Sequence, residues 1–385
     1  MTKNPLVALS DAGQSVWLDY IHREIIDSGG LARRISEDGL RGVTSNPTIF
    51  EKAISSGTLY DDLIFSFARE RITPKRVYQR IVLRDIRDAA DILRPVYDSL
   101  KGADGYVSLE VEPDLANDAK STVERARELF CLVARPNVMI KIPATQEGLS
   151  AIEDTIALGI PVNVTLIFSV NRYADVVESY LRGVERLLFA GGDPRMVASV
   201  ASFFVSRIDT AVDTLLKAEI HRDPSSPKAK AAQALMGKLA VAGARAAYAK
   251  FLEVLSTERW KGLAARGVRV QRLLWASTGT KNKEYSDVKY VEELIGPDTV
   301  NTVPPETMDA FRNHGKVVDA LTGSHLAAKS IIESCSPLEI NIEEVCERLE
   351  KDRVTSFVNS YQELLATIEK KLSVARNSLR ARQTM

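Results

Sequence analysis

The sequence is poor in the residues that most often build disulfide, redox and metal sites. Only three cysteines, Cys131, Cys335 and Cys346, occur in 385 residues. They are too few and too scattered for a disulfide framework, and none forms a Cys-x-x-Cys pair. The four histidines, His22, His221, His314 and His325, all fall outside the stretches that read as strands. A histidine–carboxylate metal site is therefore not expected. No GxGxxG motif and no GxxxxGK motif stands in strand-to-helix context, so no nucleotide or other cofactor is expected. Positive charge is not in surplus: Lys plus Arg and Asp plus Glu both total 51. That balance argues against nucleic acid and anionic membranes as partners, while leaving room for a local anion site. No run approaches the roughly 20 apolar residues of a membrane span. Met1-Thr2-Lys3-Asn4-Pro5 lacks the apolar core of a signal peptide. A soluble, cytoplasmic protein is the expectation.

The sequence does contain short apolar, β-branched runs separated by amphipathic stretches, the pattern of a parallel α/β fold. Eight such runs are read as strands: Val16–Tyr20, Gly42–Ser45, Tyr106–Val111, Val138–Ile142, Val162–Ile167, Val197–Ser202, Leu273–Ser277 and Thr299–Val303. Helical periodicity fills Asp114–Ala134, Thr145–Leu158 and Asn171–Leu188 between them. Eight strands with intervening helices predict a closed (β/α)8 TIM barrel spanning one domain, 1–385; a doubly wound open sheet is the alternative. Residues of about 222–264, rich in Ala, Lys and Leu, read as a helical insertion before the seventh strand. Residues of about 316–385 read as a helical C-terminal extension, a covering layer outside the barrel with a basic tail expected to fray.

Side chains alternate between the two faces of a strand. In the fourth run, Ile140 and Ile142 suit the helix layer, which turns Lys141 into the barrel. Burial disfavours the charged form of a lysine, and a neutral amine can attack a carbonyl. A structural lysine paired with a carboxylate is the alternative. Polar residues gather at inward positions near the C-terminal ends of other strands: Asp19, Asn46, Glu110, Asn163, Thr165, Ser202 and Ser277. That end is the catalytic face of such barrels. Without histidine, acid–base work falls to Asp19 and Glu110.

Three segments resemble one family in the same order along the chain. Thr44-Ser45-Asn46-Pro47-Thr48 resembles the TSNPT-type signature of the transaldolases. Val138 to Thr145 resembles the segment that carries their Schiff-base lysine, and Asn163 to Ser169 resembles their fifth-strand signature. The similarity runs from about residue 10 to 315. The resemblance implies a cofactor-free barrel that transfers a dihydroxyacetone unit from sedoheptulose 7-phosphate to glyceraldehyde 3-phosphate, giving erythrose 4-phosphate and fructose 6-phosphate. It implies Lys141 as nucleophile, Asp19 as acid–base, and Glu110 with Thr165 as holders of a catalytic water. Asn46, Asn163 and Ser202 would bind dihydroxyacetone hydroxyls, with Phe204 as an apolar wall or plain barrel packing.

At the phosphate end, Arg207 matches the family's phosphate arginine; a surface pair with Asp209 is the alternative. Many transaldolases carry a second arginine two residues after the seventh-strand serine. Gly279 stands there, in Ser277-Thr278-Gly279-Thr280-Lys281. Lys281 is expected to replace it beside Ser277, or else to be a solvated lysine at a helix start. Two other functions stay open: an aldolase that cleaves fructose 6-phosphate, and a sugar-phosphate-binding barrel without catalysis. The expected partners are sugar-phosphate substrates, and the assembly a monomer or homodimer.

Overall fold

The computed structural model describes residues 4–70 and 72–383. Eight parallel strands close into a barrel in sequence order. They are β1 (Gln14–Leu18), β2 (Gly42–Val43), β3 (Tyr106–Glu110), β4 (Val138–Pro143), β5 (Val162–Ile167), β6 (Ser199–Phe204), β7 (Arg272–Ala276) and β8 (Thr299–Val303). β8 returns to β1, with Gln14 beside Thr299 and Leu18 beside Val303, so no sheet edge remains. The fold is therefore a (β/α)8 barrel and not an open sheet.

The helices, in chain order, begin with α1 (Pro5–Asp11), α2 (Arg23–Asp27), α3 (Gly30–Asp38), α4 (Pro47–Ser55), α5 (Asp61–Phe67) and α6 (Pro74–Ser99). Then come α7 (Ala119–Val133), α8 (Gln146–Ala157), α9 (Val170–Phe189), α10 (Ser206–Arg222), α11 (Pro227–Leu235) and α12 (Leu239–Ser256). The last are α13 (Glu258–Ala265), α14 (Lys289–Glu292), α15 (Pro305–His314), α16 (His325–Glu333) and α17 (Ile342–Gln383). Short polar side chains just after the strands start several of them. Asn46 caps α4, Asp118 caps α7, Thr145 caps α8 and Ser169 caps α9, each accepting from a backbone N–H of the first turn. Such caps satisfy otherwise unpaired amides and fix where each chain segment turns away from the barrel mouth.

Two features hold the opposite, N-terminal end shut. The Trp17 ring lies so close to Gly42 that a Cβ there would sit 2.3 Å from it, so only glycine fits. Buried Asp104 accepts from Trp17 Nε1 at 2.8 Å, from Ser15 and from Arg272 at 3.2 Å. These bonds join β1, the β3 approach and β7 beneath the core.

Three strands are shifted at both ends from their sequence-based bounds, while β2, β3 and β4 differ only at their C-terminal ends. β1 starts at Gln14 and stops at Leu18, so Asp19 lies just beyond it, although its N–H still bonds Val303 O at 2.9 Å. β6 runs from Ser199 to Phe204, which puts Ser202 inside the strand and not at its end. β7 stops at Ala276, because Ser277 turns left-handed at φ 56°.

The segment read as an insertion, about 222–264, holds the end of α10 together with α11, α12 and α13. α12 packs on α9, α10 and β7, and its Gly243 faces the Phe203 ring on the outside of β6. It therefore fills a place in the outer helix ring. The C-terminal extension departs further from expectation. α16 packs on α12, but α17 crosses from α10 and the end of β5 to α4, α5 and α6. Its 42 residues, roughly 63 Å at 1.5 Å per residue, cover the mouth at the C-terminal ends of the strands. Amphipathic periodicity tells that a helix buries one face; it does not tell which surface receives that face. The tail expected to fray is helical through Gln383, and residues 384 and 385 lie outside the described residues.

Candidate active site

A cavity of about 210 Å³ opens at the C-terminal mouth of the barrel. It is lined by nine of the expected residues: Asp19, Asn46, Lys141, Thr165, Ser202, Phe204, Arg207, Ser277 and Lys281. The other two, Glu110 and Asn163, stand one contact behind its wall. A larger, mainly apolar cavity between α9, α10, α12 and the segment before α17 gathers no comparable polar set.

Strand register explains the convergence. Glu110 of β3 lies beside Lys141 of β4, Lys141 beside Asn163 of β5, and Pro143 beside Thr165. Inward positions on neighbouring strands therefore fall at one level. Past Thr165, Leu166 takes φ 62° and the β5–β6 register shifts between Val164 and Ile167. Bulges of this kind re-aim side chains near active sites.

Lys141 is 4% exposed. Its Nζ donates to Ser45 O at 3.1 Å and lies 3.2 Å from Glu110 Oε2. The lysine is thus both buried and paired with a carboxylate, so the pairing alone does not separate nucleophile from structural lysine. What separates them is access, since Lys141 lines the cavity. Burial raises the Glu110 carboxyl above its ordinary range, against the pull of Lys141. Burial likewise raises Asp19, opposed by Lys141, by the Thr44 hydrogen bond, by Lys281 and by Arg353. Thr44 Oγ1 donates to Asp19 Oδ1 at 2.7 Å. Its single proton is used there, so Thr302 Oγ1, also at 2.7 Å, must be the donor to Thr44.

Asn46 uses its side-chain oxygen to cap α4, at 3.0 Å from Ile49 N, which leaves its amide nitrogen for the cavity. Asn163 is fully buried: its Nδ2 donates to Ser108 Oγ at 2.9 Å and its Oδ1 accepts from Ser202 Oγ at 2.7 Å. Its nearest reach to the cavity is through Ser202. The Phe204 ring lines the wall and packs on Phe168, with centroids 5.1 Å apart.

The sequence matches the Transaldolase/Fructose-6-phosphate aldolase family over residues 16–368. The chain belongs to this family. It is 48% identical to a transaldolase of Thermobifida fusca over 371 residues, 96% of this chain and 99% of that protein. It is 46% identical to a transaldolase of Saccharopolyspora erythraea over 376 residues, 97% of this chain and 100% of that protein. It is 44% identical to transaldolase 2 of a Nostoc species over 378 residues, 97% and 99% of the two chains. The similarity therefore does not stop near residue 315; it takes in α16 and most of α17, which belong to the body of the family.

Where Arg207 and Lys281 line the cavity, the Arg207–Asp209 pair and the helix-start position of Lys281 fall away as alternatives. Asp209 is occupied elsewhere, accepting from Ala240 N at 2.8 Å and Tyr290 Oη at 2.8 Å, so it does not pair with Arg207. Lys281 begins no helix; it lies in the loop between β7 and α14. A Cβ added to Gly279 would sit 3.6 Å from Lys281 Nζ, so the ammonium stands over the place where many transaldolases have arginine. Lys281 is solvent-exposed as a residue, yet partial burial and the nearby Arg207 lower its pKa. Ser277 is held by Ser206, Oγ to Oγ at 3.2 Å and backbone N to Ser277 O at 3.1 Å. The loop with Lys281 and the helix with Arg207 are joined again by Tyr285 to Asp213 at 2.8 Å and Tyr290 to Asp209.

Sequence reasoning missed Thr44, Lys52, Thr302, Arg353 and Phe357, all of which line the cavity. Lys52 lies in the last turn of α4, the helix that Asn46 caps, beyond the Thr44–Thr48 motif. Arg353 and Phe357 come from α17, and nothing in their local sequence marks them. Among the described residues, no group of three or more His, Cys, Asp or Glu side chains is placed to share a metal ion. Among the described residues, no helix is long and apolar enough to cross a membrane.

Proposed function

We propose that the chain is a transaldolase of the non-oxidative pentose phosphate pathway. It moves a dihydroxyacetone unit from sedoheptulose 7-phosphate to glyceraldehyde 3-phosphate through a Schiff base on Lys141. Erythrose 4-phosphate and fructose 6-phosphate are the products, no cofactor takes part, and the protein works in the cytoplasm as a monomer or homodimer. The observation that carries this reading is one cavity with Lys141 and Asp19 at its inner end and unpaired cations at its rim.

The Lys141 amine adds to the ketose carbonyl at C2. The proton it must lose has Glu110 Oε2 at 3.2 Å to receive it. Loss of water from the adduct gives an imine, whose protonated form draws electrons from the C3–C4 bond. Thr165 Oγ1 is buried without a hydrogen-bond partner among the described residues, and Glu110 Oε2, buried nearby, has only the Lys141 ammonium at 3.2 Å beside it. A water held between such groups satisfies both, and it is the water lost in forming the imine and added in releasing it.

Asp19 takes the C4 hydroxyl proton, the C3–C4 bond breaks, and the aldose phosphate leaves. The three-carbon enamine stays on Lys141. Its carbon then attacks the aldehyde of the acceptor, and Asp19 returns the proton to the new hydroxyl. A carboxyl raised by burial suits both directions, because it gives and takes a proton closer to neutral pH than an ordinary aspartate. Asn46 Nδ2 and Ser202 Oγ face the dihydroxyacetone hydroxyls, and Asn163 fixes the Ser202 hydroxyl from behind. Phe204 keeps water from the enamine side.

Reduction with borohydride in the presence of fructose 6-phosphate, followed by peptide mass mapping, tests the chemistry. A three-carbon adduct on Lys141 is expected. Folded protein that gives no adduct at saturating sugar refutes the Schiff-base reading. Turnover that requires an aldose acceptor then separates transfer from simple aldol cleavage.

A further inference from the structure

Arg353 is the least explained charge in the cavity wall. It lies on α17, forms no ion pair within 4 Å among the described residues, and its buried Nε has no hydrogen-bond partner. Among the described residues its one side-chain hydrogen bond is a long one, Nη1 to Ser356 Oγ at 3.3 Å. A half-buried guanidinium without a carboxylate is costly in a free protein and calls for a stated reason. Burial, then the nearby Arg207, lower its pKa to about 10, while Glu110 and Asp19 act the other way.

The charges around it give the reason. Lys52, Lys141, Arg207, Lys281 and Arg353 line the cavity; the only acidic residue in that lining is Asp19, and Glu110 stands behind Lys141. The cavity thus carries three positive charges beyond what its carboxylates balance, in a chain whose total charge is zero. A phosphate monoester brings about −1.5 to −2 at neutral pH and strong acceptor oxygens.

The placement of Arg353 is also fixed. On one side α17 is tied down by Glu343 to Ser169 at 2.6 Å, by Cys346 Sγ to Phe168 O at 3.3 Å and by Glu350 to Arg172 at 3.3 Å. On the other side Ser360 bonds Thr48 at 3.0 Å and Lys371 bonds Gly57 O at 2.9 Å. Arg353 sits in the span between these anchors. Its guanidinium stacks on the Phe357 ring, 4.6 Å from the centroid. A ring over the guanidinium carbon uses no N–H, so beyond the long bond from Nη1 to Ser356 the other N–H groups stay available to grip a phosphate with two bonds.

We propose that Arg353 of the C-terminal helix is a substrate-phosphate ligand of this site, acting with Arg207 and Lys281 where Gly279 offers no side chain. The proposal rests on the sugar-phosphate reading above and adds a specificity-determining residue to it. The helix that covers the mouth is then part of the binding site, and phosphorylated sugars are selected partly by it.

Arg353→Ala and Arg353→Lys test this against a mere covering role. For Arg353→Ala, kcat/KM for fructose 6-phosphate is expected to fall 10- to 100-fold, mostly through KM, while unphosphorylated fructose loses about threefold or less. Arg353→Lys is expected to recover part of that loss. The inhibition constant of inorganic phosphate, and the thermal stabilisation it gives, supply a second readout and are expected to weaken about 10-fold in Arg353→Ala. Equal losses on both sugars with unchanged phosphate binding would overturn the proposal. Wild-type protein that gives no borohydride adduct would instead sink the transaldolase reading, and the phosphate stabilisation would still decide Arg353.

Discussion

Asp209→Asn is the sharpest test of how the phosphate end is scaffolded. Asp209 is 1% exposed and accepts from Ala240 N and Tyr290 Oη. Asp213 and Lys289 are the charged groups acting on it, with opposite signs. Burial is the largest influence and raises its pKa from an ordinary 3.8 to about 6. The folded protein therefore holds this proton more tightly than the unfolded chain. Stability from this residue is fully present below pH 3.8 and is lost as pH rises through 6. That difference in pKa corresponds to about 3 kcal/mol. Asparagine does not ionise, and its amide can offer oxygen to Ala240 N and a donor to Tyr290 Oη. The unfolding free energy of wild type minus that of Asp209→Asn should fall by about 2–3 kcal/mol between pH 4 and pH 7.5. Urea unfolding followed by fluorescence of buried Trp17 and Trp275 measures it. A difference that stays constant with pH, or that moves in favour of wild type, refutes the reasoning.

Lys141→Ala should abolish turnover and borohydride labelling while leaving circular dichroism and the unfolding midpoint near those of wild type; appreciable residual transfer would contradict the mechanism. Arg207→Ala should cost about 1.5–3 kcal/mol in kcat/KM for phosphorylated sugars and far less for unphosphorylated ones. Its stability cost should be small, because Arg207 has no ion-pair partner within 4 Å among the described residues to orphan, and equal kinetic losses on both sugars would remove the phosphate role. Arg23→Ala should behave in the opposite way. It strips buried Asp85 of its guanidinium partner, leaving only Tyr60 Oη at 2.7 Å. A loss of about 3–5 kcal/mol in urea unfolding is expected at neutral pH, and a loss under 1 kcal/mol would refute the dependence of Asp85 on this guanidinium.

The barrel was legible because each of its strands is a short β-branched run between helix starts and stops. Alternation on those strands then placed Lys141, Thr165 and Ser202 on the inner face without any structural knowledge. Strand ends were less legible. Ser277 leaves the ladder at a left-handed turn that hydrophobic pattern does not encode, and Asp19 lies just past β1 with its N–H still bonded to Val303 O. Asn163 faces inward as read, yet its amide is spent on Ser108 and Ser202, a matter of which neighbour reaches it first. Arg353 could not be read at all. Its role depends on where a helix more than 300 residues from Asp19 comes to lie, and long-range docking leaves little trace in local sequence.

The position of α17 also sets an order of events during synthesis. Lys141 leaves the ribosome more than 200 residues before Arg353, and β8, which closes the barrel, emerges about 40 residues before α17 begins. At roughly 5–20 residues per second, a nascent barrel passes seconds with its reactive amine facing open solvent. In that interval nothing of α17, Arg353 included, lies over the mouth. Completion of the last helix is thus the moment at which a reactive barrel becomes a selective one.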